Sequence, residues 1–243
     1  TIQKDLDKMV ADFLQSARNY DEEAKTYYKE YLQNDGQSKD FTPYVCSLDS
    51  KPARQDTGVV SALFASYAFT GGAHGGLVTF ARNYDTKTGN VLTMKDLGEG
   101  VSTLAIDNVV KFVDAIQEDG DAFFYNKVTA DDESVQSMLE TGCFYLSKDG
   151  LVLIDGQYLL QPYAAGIVEF TTSYDDLKGK LKEEYALTGG STSCVGSGSI
   201  YTLDKDGKLV SIKTDYDPAV LDDGERSTNT AQDGTDGSVS ASN

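Results

Sequence analysis

His74 is the only histidine in 243 residues, so every imidazole-dependent reaction scheme has to run through it. No G-x-S-x-G elbow occurs, and Gly196-Ser197-Gly198 has the wrong spacing for one. A zinc centre built on several histidines is excluded. The stretch Gly71-Gly72-Ala73-His74-Gly75-Gly76 lacks the Lys-Ser/Thr pair of a phosphate-binding loop and does not match a dinucleotide fingerprint. Cys46, Cys143 and Cys194 form no C-x-x-C pair. They allow at most one internal disulfide, with all three pairings open. A Cys/His hydrolase using His74 stands as the enzymatic alternative, because any of the three thiols could fold beside it. The 39 acidic residues would permit paired-carboxylate chemistry, but their abundance makes no single pair informative. Asp204, Asp206 and Gly207 begin like a calcium loop, yet Lys208 and Asp215 occupy positions that need other ligands, and the segment reads as a hairpin turn. No catalytic residue, metal ligand or cofactor is assigned, and the reading is a non-enzyme.

Composition narrows the partners. Asp and Glu outnumber Lys and Arg by 39 to 21, giving a formal net charge of −18. Such a chain repels nucleic acid and anionic lipid and attracts basic proteins. Hydrophobic residues make up 40 %, enough for a core, and 15 Tyr and 10 Phe supply much of its bulk in the absence of Trp. No apolar run reaches the roughly 18 residues of a membrane span. Any membrane attachment is therefore expected from a removed N-terminal anchor upstream of Thr1.

The elements that must position these residues follow from periodicity. Residues 5–32 read as an amphipathic helix whose stripe runs through Leu6, Met9, Val10, Phe13, Leu14, Ala17 and Tyr20, expected to pack as core. Asn34-Asp35-Gly36 stops it. Strands are expected across 57–70 and 77–84, followed by a hairpin through 85–90. A second helix carries Leu104, Val109, Val110, Val113 and Ile116, and Thr129 with Asp132 opens a short third one. Strands at 144–146 and 151–154 flank a Ser-Lys-Asp-Gly turn. Further strands are expected at 158–161 and 166–170, and a helix from Ser173 with Leu177, Leu181 and Tyr185 as its apolar stripe. A last hairpin joins 199–202 to 209–213. The fold class is α+β, with antiparallel sheet or sheets, helices on one face, and a disordered acidic C-terminal tail. The expected division is 1–95, 96–186, an extra hairpin at 187–221 and a flexible tail at 222–243.

Two ordered segments are more specific than any single motif. The first runs Tyr67-Ala68-Phe69-Thr70-Gly71-Gly72-Ala73-His74, then Asn83-Tyr84-Asp85-Thr86-Lys87-Thr88-Gly89 and Leu92-Thr93-Met94-Lys95-Asp96-Leu97. The second runs Phe144-Tyr145-Leu146-Ser147-Lys148-Asp149-Gly150-Leu151, then Tyr158, Pro162-Tyr163-Ala164-Ala165-Gly166 and Phe170. Their order over residues 5–186 resembles the extracytoplasmic domain of RsiV-like anti-sigma factors, the domain of unknown function numbered 3298 with its upstream partner domain. It is also similar to the non-catalytic N-terminal part of PdaC-like peptidoglycan deacetylases. The resemblance implies an exported or membrane-anchored binding domain of the bacterial envelope. Its implied partner is a basic protein such as lysozyme, or alternatively peptidoglycan glycan. Asp96-Leu97-Gly98 lacks the aromatic residue that commonly follows Asp-Leu in the family, and 187–243 has no counterpart there.

The candidate ligand-binding residues are Tyr67, Gly71, Gly72, His74, Tyr158, Pro162 and Tyr163. Gly71 and Gly72 permit backbone conformations closed to other residues, or a close approach by another chain. His74 is placed to hydrogen-bond across that turn. Pro162-Tyr163 would hold an aromatic residue in a loop, a type that dominates many interfaces.

Overall fold

A computed structural model describes residues 1–34, 36–120, 124–196 and 198–214. The expected tail at 222–243, Asp35 of the helix-stop triplet, Ser197 and Asp215 all lie outside the described residues.

Helix α1 spans Ile2–Gln33. The Gly36 N–H closes its end on the Tyr31 carbonyl at 3.0 Å, and the Asn34 side chain donates to the Glu30 carbonyl at 2.9 Å. Its apolar stripe does not pack as core. No residue of α1 is buried, and Val10 and Leu14 are 49 % and 47 % exposed. The helix is instead held at its two ends. At one end the Tyr84 hydroxyl donates to Asp5 at 2.9 Å. At the other, Tyr27, Tyr28 and Tyr31 gather round Phe41, with ring centroids 5.8, 4.7 and 5.6 Å away.

Strands β1 (Val45–Gln55), β2 (Val59–Phe69) and β3 (Gly76–Asp85) form a three-stranded antiparallel sheet in chain order. Sequence pattern did not reveal β1, and its composition explains why. It contains Pro52, and its register slips between Pro52 and Arg54. A proline and a bulge are tolerated because β1 is an edge strand.

Helix α2 (Met94–Leu97) starts with a capping box between Thr93 and Asp96. Helix α3 (Val101–Glu118) buries Val101, Ala105, Ile106, Val109, Phe112, Val113 and Ile116 on one face. Helix α4 (Glu133–Ser137) begins later than expected. Asp132, in an extended conformation, is its N-cap, and the Asp132 carboxylate accepts the Thr129 N–H at 2.6 Å.

Strands β4 (Phe144–Leu146), β5 (Gly150–Asp155), β6 (Val168–Ser173), β7 (Ser193–Gly196), β8 (Ser199–Leu203) and β9 (Leu209–Lys213) follow in order around one six-stranded antiparallel sheet. Strand β7 was hidden in a Gly/Ser/Thr-rich stretch because only Cys194 and Val195 carry apolar bulk. Two expectations fail here. Residues 158–161 are turn and bend, not strand. The segment after Ser173 is a run of turns ending in a 3-10 turn at Glu183–Tyr185, not a helix. Gly179 adopts φ +77° within it, which breaks helical continuity. Leu177, Leu181 and Tyr185 are buried all the same.

The main core lies between α3 and the inner face of the six-stranded sheet. A smaller one, with Leu63, Ala81, Tyr145, Val152, Ile154 and Ile167, joins the two sheets on the other side. The junction is closed by the buried Asn83 side chain. Its oxygen accepts the Leu146 N–H at 3.0 Å and the Ser61 hydroxyl at 2.6 Å, and its nitrogen donates to the Phe144 carbonyl at 2.9 Å. One side-chain amide thus substitutes for a neighbouring strand along β4. A second staple is the buried Arg54, which donates to the Tyr174 hydroxyl at 2.7 Å and the Tyr185 carbonyl at 2.6 Å.

Replacing Asn83 by Ala leaves a buried N–H and a buried carbonyl of β4 without these bonds. The expected loss is about 2–4 kcal/mol in urea unfolding, while Asn19→Ala on the exposed side of α1 changes stability by less than about 0.5 kcal/mol.

Candidate functional site

The structure brings the sequence-nominated residues together at one end of the sheet junction. Two segments supply them. Strand β2 carries Tyr67 two residues before its end at Phe69 and the loop 70–75, and the loop 156–166 leads from β5 to β6. The His74 ring stacks on Tyr163, with centroids 4.1 Å apart and an interplanar angle of 23°. Tyr158 lies 5.5 Å from Tyr163. The Tyr163 hydroxyl donates to the Gly75 carbonyl at 3.1 Å. His74 Nδ1 sits 3.0 Å from the same oxygen and donates to it when Nδ1 carries the proton. Pro162 is exposed beside them, just before a 3-10 turn at Tyr163–Ala165. The result is an exposed aromatic platform built from residues far apart in the chain.

Glycine serves this platform in two ways. Gly71 and Gly72 adopt φ of +96° and +92° with open space where a Cβ would stand, so backbone conformation, not close packing, requires them. Gly75 is the reverse case. A Cβ there would fall 2.4 Å from the Tyr67 ring, so the hydroxyl end of Tyr67 packs against the glycine and leaves no room for a side chain.

Tyr158 is 58 % exposed and has φ +68°, alone among the described non-glycine residues in the left-handed region. That conformation costs on the order of 1–2 kcal/mol for a bulky residue. It persists because the loop around it is pinned. The fully buried Gln161 donates through Nε2 to the Gly156 carbonyl at 3.2 Å and the Gly166 carbonyl at 3.0 Å, tying the loop's two ends together. Sequence reasoning missed Gln161, since a glutamine one residue before a proline carries no local signal of burial.

Asp155, at the entrance of this loop, was also missed. It is fully buried, and neither carboxylate oxygen has a hydrogen-bond partner among the described residues. Burial drives its carboxyl well above the ordinary carboxylate range. The nearby Leu160 backbone N–H acts in the opposite direction and is outweighed by burial.

The Cys/His alternative has no geometric support. Among the described residues, the contacts of His74 are the Gly75 carbonyl and the Tyr163 ring, with no thiol or hydroxyl hydrogen-bonded to it. All three cysteines are free. Burial, with Glu140 nearby, raises the Cys143 thiol, and burial raises Cys194 further, so neither is an activated thiolate. No cluster of three His, Cys, Asp or Glu side chains arranged for a metal is present among the described residues. No described helix is long and apolar enough to cross a membrane.

Residues 1–76 match the family model described as Deacetylase PdaC, and residues 105–175 match the protein family of unknown function DUF3298. A DUF3298-family protein from Bacteroides fragilis has a similar structure, with 21 % identity and a TM-score of 0.52, over 73 % of this chain and 70 % of its own. Another, from Pseudomonas aeruginosa, is 21 % identical with a TM-score of 0.47, over 67 % of this chain and 71 % of its own. At such identity the likeness speaks for the fold alone. No curated protein matches the chain.

The Asp155 carboxyl makes a prediction about pH. Its folded pKa lies above its unfolded one, so its contribution to stability is complete below the ordinary carboxylate range and is lost as pH rises toward the folded value. Asp155→Asn cannot ionise. Relative to the parent, its stability is expected to improve with rising pH by up to about 1.4 kcal/mol per unit across that window. Urea unfolding from pH 4 to pH 8 checks this, and parallel stability curves would contradict it.

Proposed function

From this pairing of a PdaC-type segment with a DUF3298-type segment, we propose that the chain is a non-catalytic accessory domain that works outside the cytoplasm and binds an envelope or host partner through its aromatic platform. The observation that carries this reading is the stacking of His74 on Tyr163 beside exposed Tyr158, held in place by a strained backbone and a buried clamp. A fold spends stability on such a display where the surface is used. Aromatic side chains of this kind give large contact area at small entropic cost.

The proposed partner is a basic protein of lysozyme type. A net charge of −18 would steer such a protein into contact, raising the association rate more than the final affinity. A second reading has a specific observation in its favour. The near-parallel His74–Tyr163 pair offers a flat face of the sort on which sugar rings lie, which suits a peptidoglycan glycan strand.

Calorimetry with hen lysozyme at two salt concentrations separates these readings. Binding that weakens as salt rises, and that Tyr163→Ala weakens by about thirtyfold, is the expected outcome. Absence of binding at low salt removes the protein partner. Sedimentation with purified peptidoglycan, lost in Tyr163→Ala, would then favour the glycan.

A further inference from the structure

Strand β9 ends the six-stranded sheet, and among the described residues no strand pairs with its outer edge. Hydrogen-bond parity fixes what that edge presents. The Asp204 N–H donates to the Lys208 carbonyl at 2.9 Å, and the Thr214 N–H donates to the Gly198 carbonyl at 2.8 Å. Both bonds continue the register that sets Leu203 opposite Leu209 and Ser199 opposite Lys213. Bonded and non-bonded pairs alternate along an antiparallel ladder, so Val210 and Ile212 turn their backbone groups toward β8. Leu209, Ser211 and Lys213 therefore turn their N–H and carbonyl groups outward. Such a row of backbone groups is a template for another strand.

The side chains do not guard this edge. Leu209 packs against the main core, so Val210 and Ile212 lie on the opposite face of the sheet, where they are 42 % and 58 % exposed. Lys213 shares the face of Leu209 and does not interrupt that apolar pair. Strand β1, which ends the other sheet, carries a proline and a bulge, and β9 carries neither. The outward residues are also self-complementary. A twofold axis through Ser211, perpendicular to the sheet, sets Ser211 against the second copy's Ser211 and Leu209 against its Lys213. Each of these pairs can exchange both its N–H···O bonds. The same rotation lays Ile212 beside the second copy's Val210 as a non-bonded pair, the more closely spaced kind, and merges two exposed apolar pairs into one patch. Charge favours this place of contact. Two chains of net charge −18 repel each other, yet residues 199–214 carry three Lys against two Asp, so copies meeting here escape that repulsion locally.

We propose that β9 is a dimerisation edge, on which a second copy of this chain adds its own β9 antiparallel about Ser211, making one continuous sheet across both copies. The contact is one strand wide, so the dimer is weak and forms as concentration rises.

The test is sedimentation equilibrium of the whole chain from about 10 µM to about 1 mM, with amide hydrogen exchange read at both ends of that range. A monomer–dimer equilibrium is expected. The amides of Leu209, Ser211 and Lys213 gain about tenfold protection at the high concentration, while those of Val210 and Ile212, already bonded to β8, change far less. Ser211→Pro removes an outward N–H that β8 does not use, and an edge strand accepts proline there, so the variant folds and its dissociation constant rises at least about tenfold. Ile212→Lys, at an exposed position, sets two cations in the apolar patch and has the same effect. Val78→Lys, at a similarly exposed position on β3, leaves the dimer intact. A monomer at about 1 mM, or a dimer indifferent to Ile212→Lys, would overturn the proposal. So would outward amides already protected in the monomer, which would give the edge to another occupant. Tyr163→Ala leaves this equilibrium unchanged, so a failure here is distinct from a failure of platform binding.

Discussion

The structure depends on one buried amide. Strand β4 is only three residues long and lies at the edge of its sheet, with backbone groups that would otherwise face the core unpaired. Asn83 meets two of them at once, and Ser61 fixes its orientation. An unmatched backbone group in the interior costs roughly 1–3 kcal/mol, so the three-stranded sheet cannot drift from the six-stranded one without exposing that cost. The main chain reinforces the seam, with the Ala81 N–H donating to the Gly142 carbonyl at 2.8 Å.

This junction gives the platform its precision. Tyr67 and His74 belong to the three-stranded sheet and its loop, whereas Tyr158, Pro162 and Tyr163 belong to the six-stranded one. They share a surface only because the two sheets are locked in register by Asn83 and Arg54. The Gly75 carbonyl is the point of contact, accepting from Tyr163 and facing His74. The placing of the platform is thus a consequence of how the two sheets pack at the junction.

Much of this was legible in the sequence where local chemistry decides. The hairpin at 144–154, helix α3, the β2–β3 pair and the last hairpin all follow from turn residues and apolar spacing, and the glycine-rich loop marked itself. The site residues were nominated one by one, by residue type and family resemblance, but nothing local said that His74 would stack on Tyr163. What stayed hidden was set by tertiary context. Strand β1 contains a proline that an edge position forgives. The segment after Ser173 has a sound cap, with the Asp176 N–H donating to the Ser173 hydroxyl at 3.1 Å, yet Gly179 and packing on Arg54 keep it from forming a helix. The stripe of α1 is amphipathic by spacing and still not buried, because Met9, Phe13 and Tyr20 face Leu48, Ala68 and Phe80 of the three-stranded sheet across an open pocket instead of packing tightly on it. Asn83, Gln161, Asp155 and Glu169 are polar residues whose burial no periodicity announces.

The central claim is that the two sheets open as one unit because of the Asn83 junction. Native-state hydrogen exchange of the Leu146 amide, which donates to Asn83, tests it most directly against the amides of β6 inside the six-stranded sheet. The account predicts that Leu146 exchanges with the same opening free energy as β6, through global unfolding alone. Exchange of Leu146 by a much cheaper local opening, while β6 stays protected, would show two sheets that part independently and would contradict it.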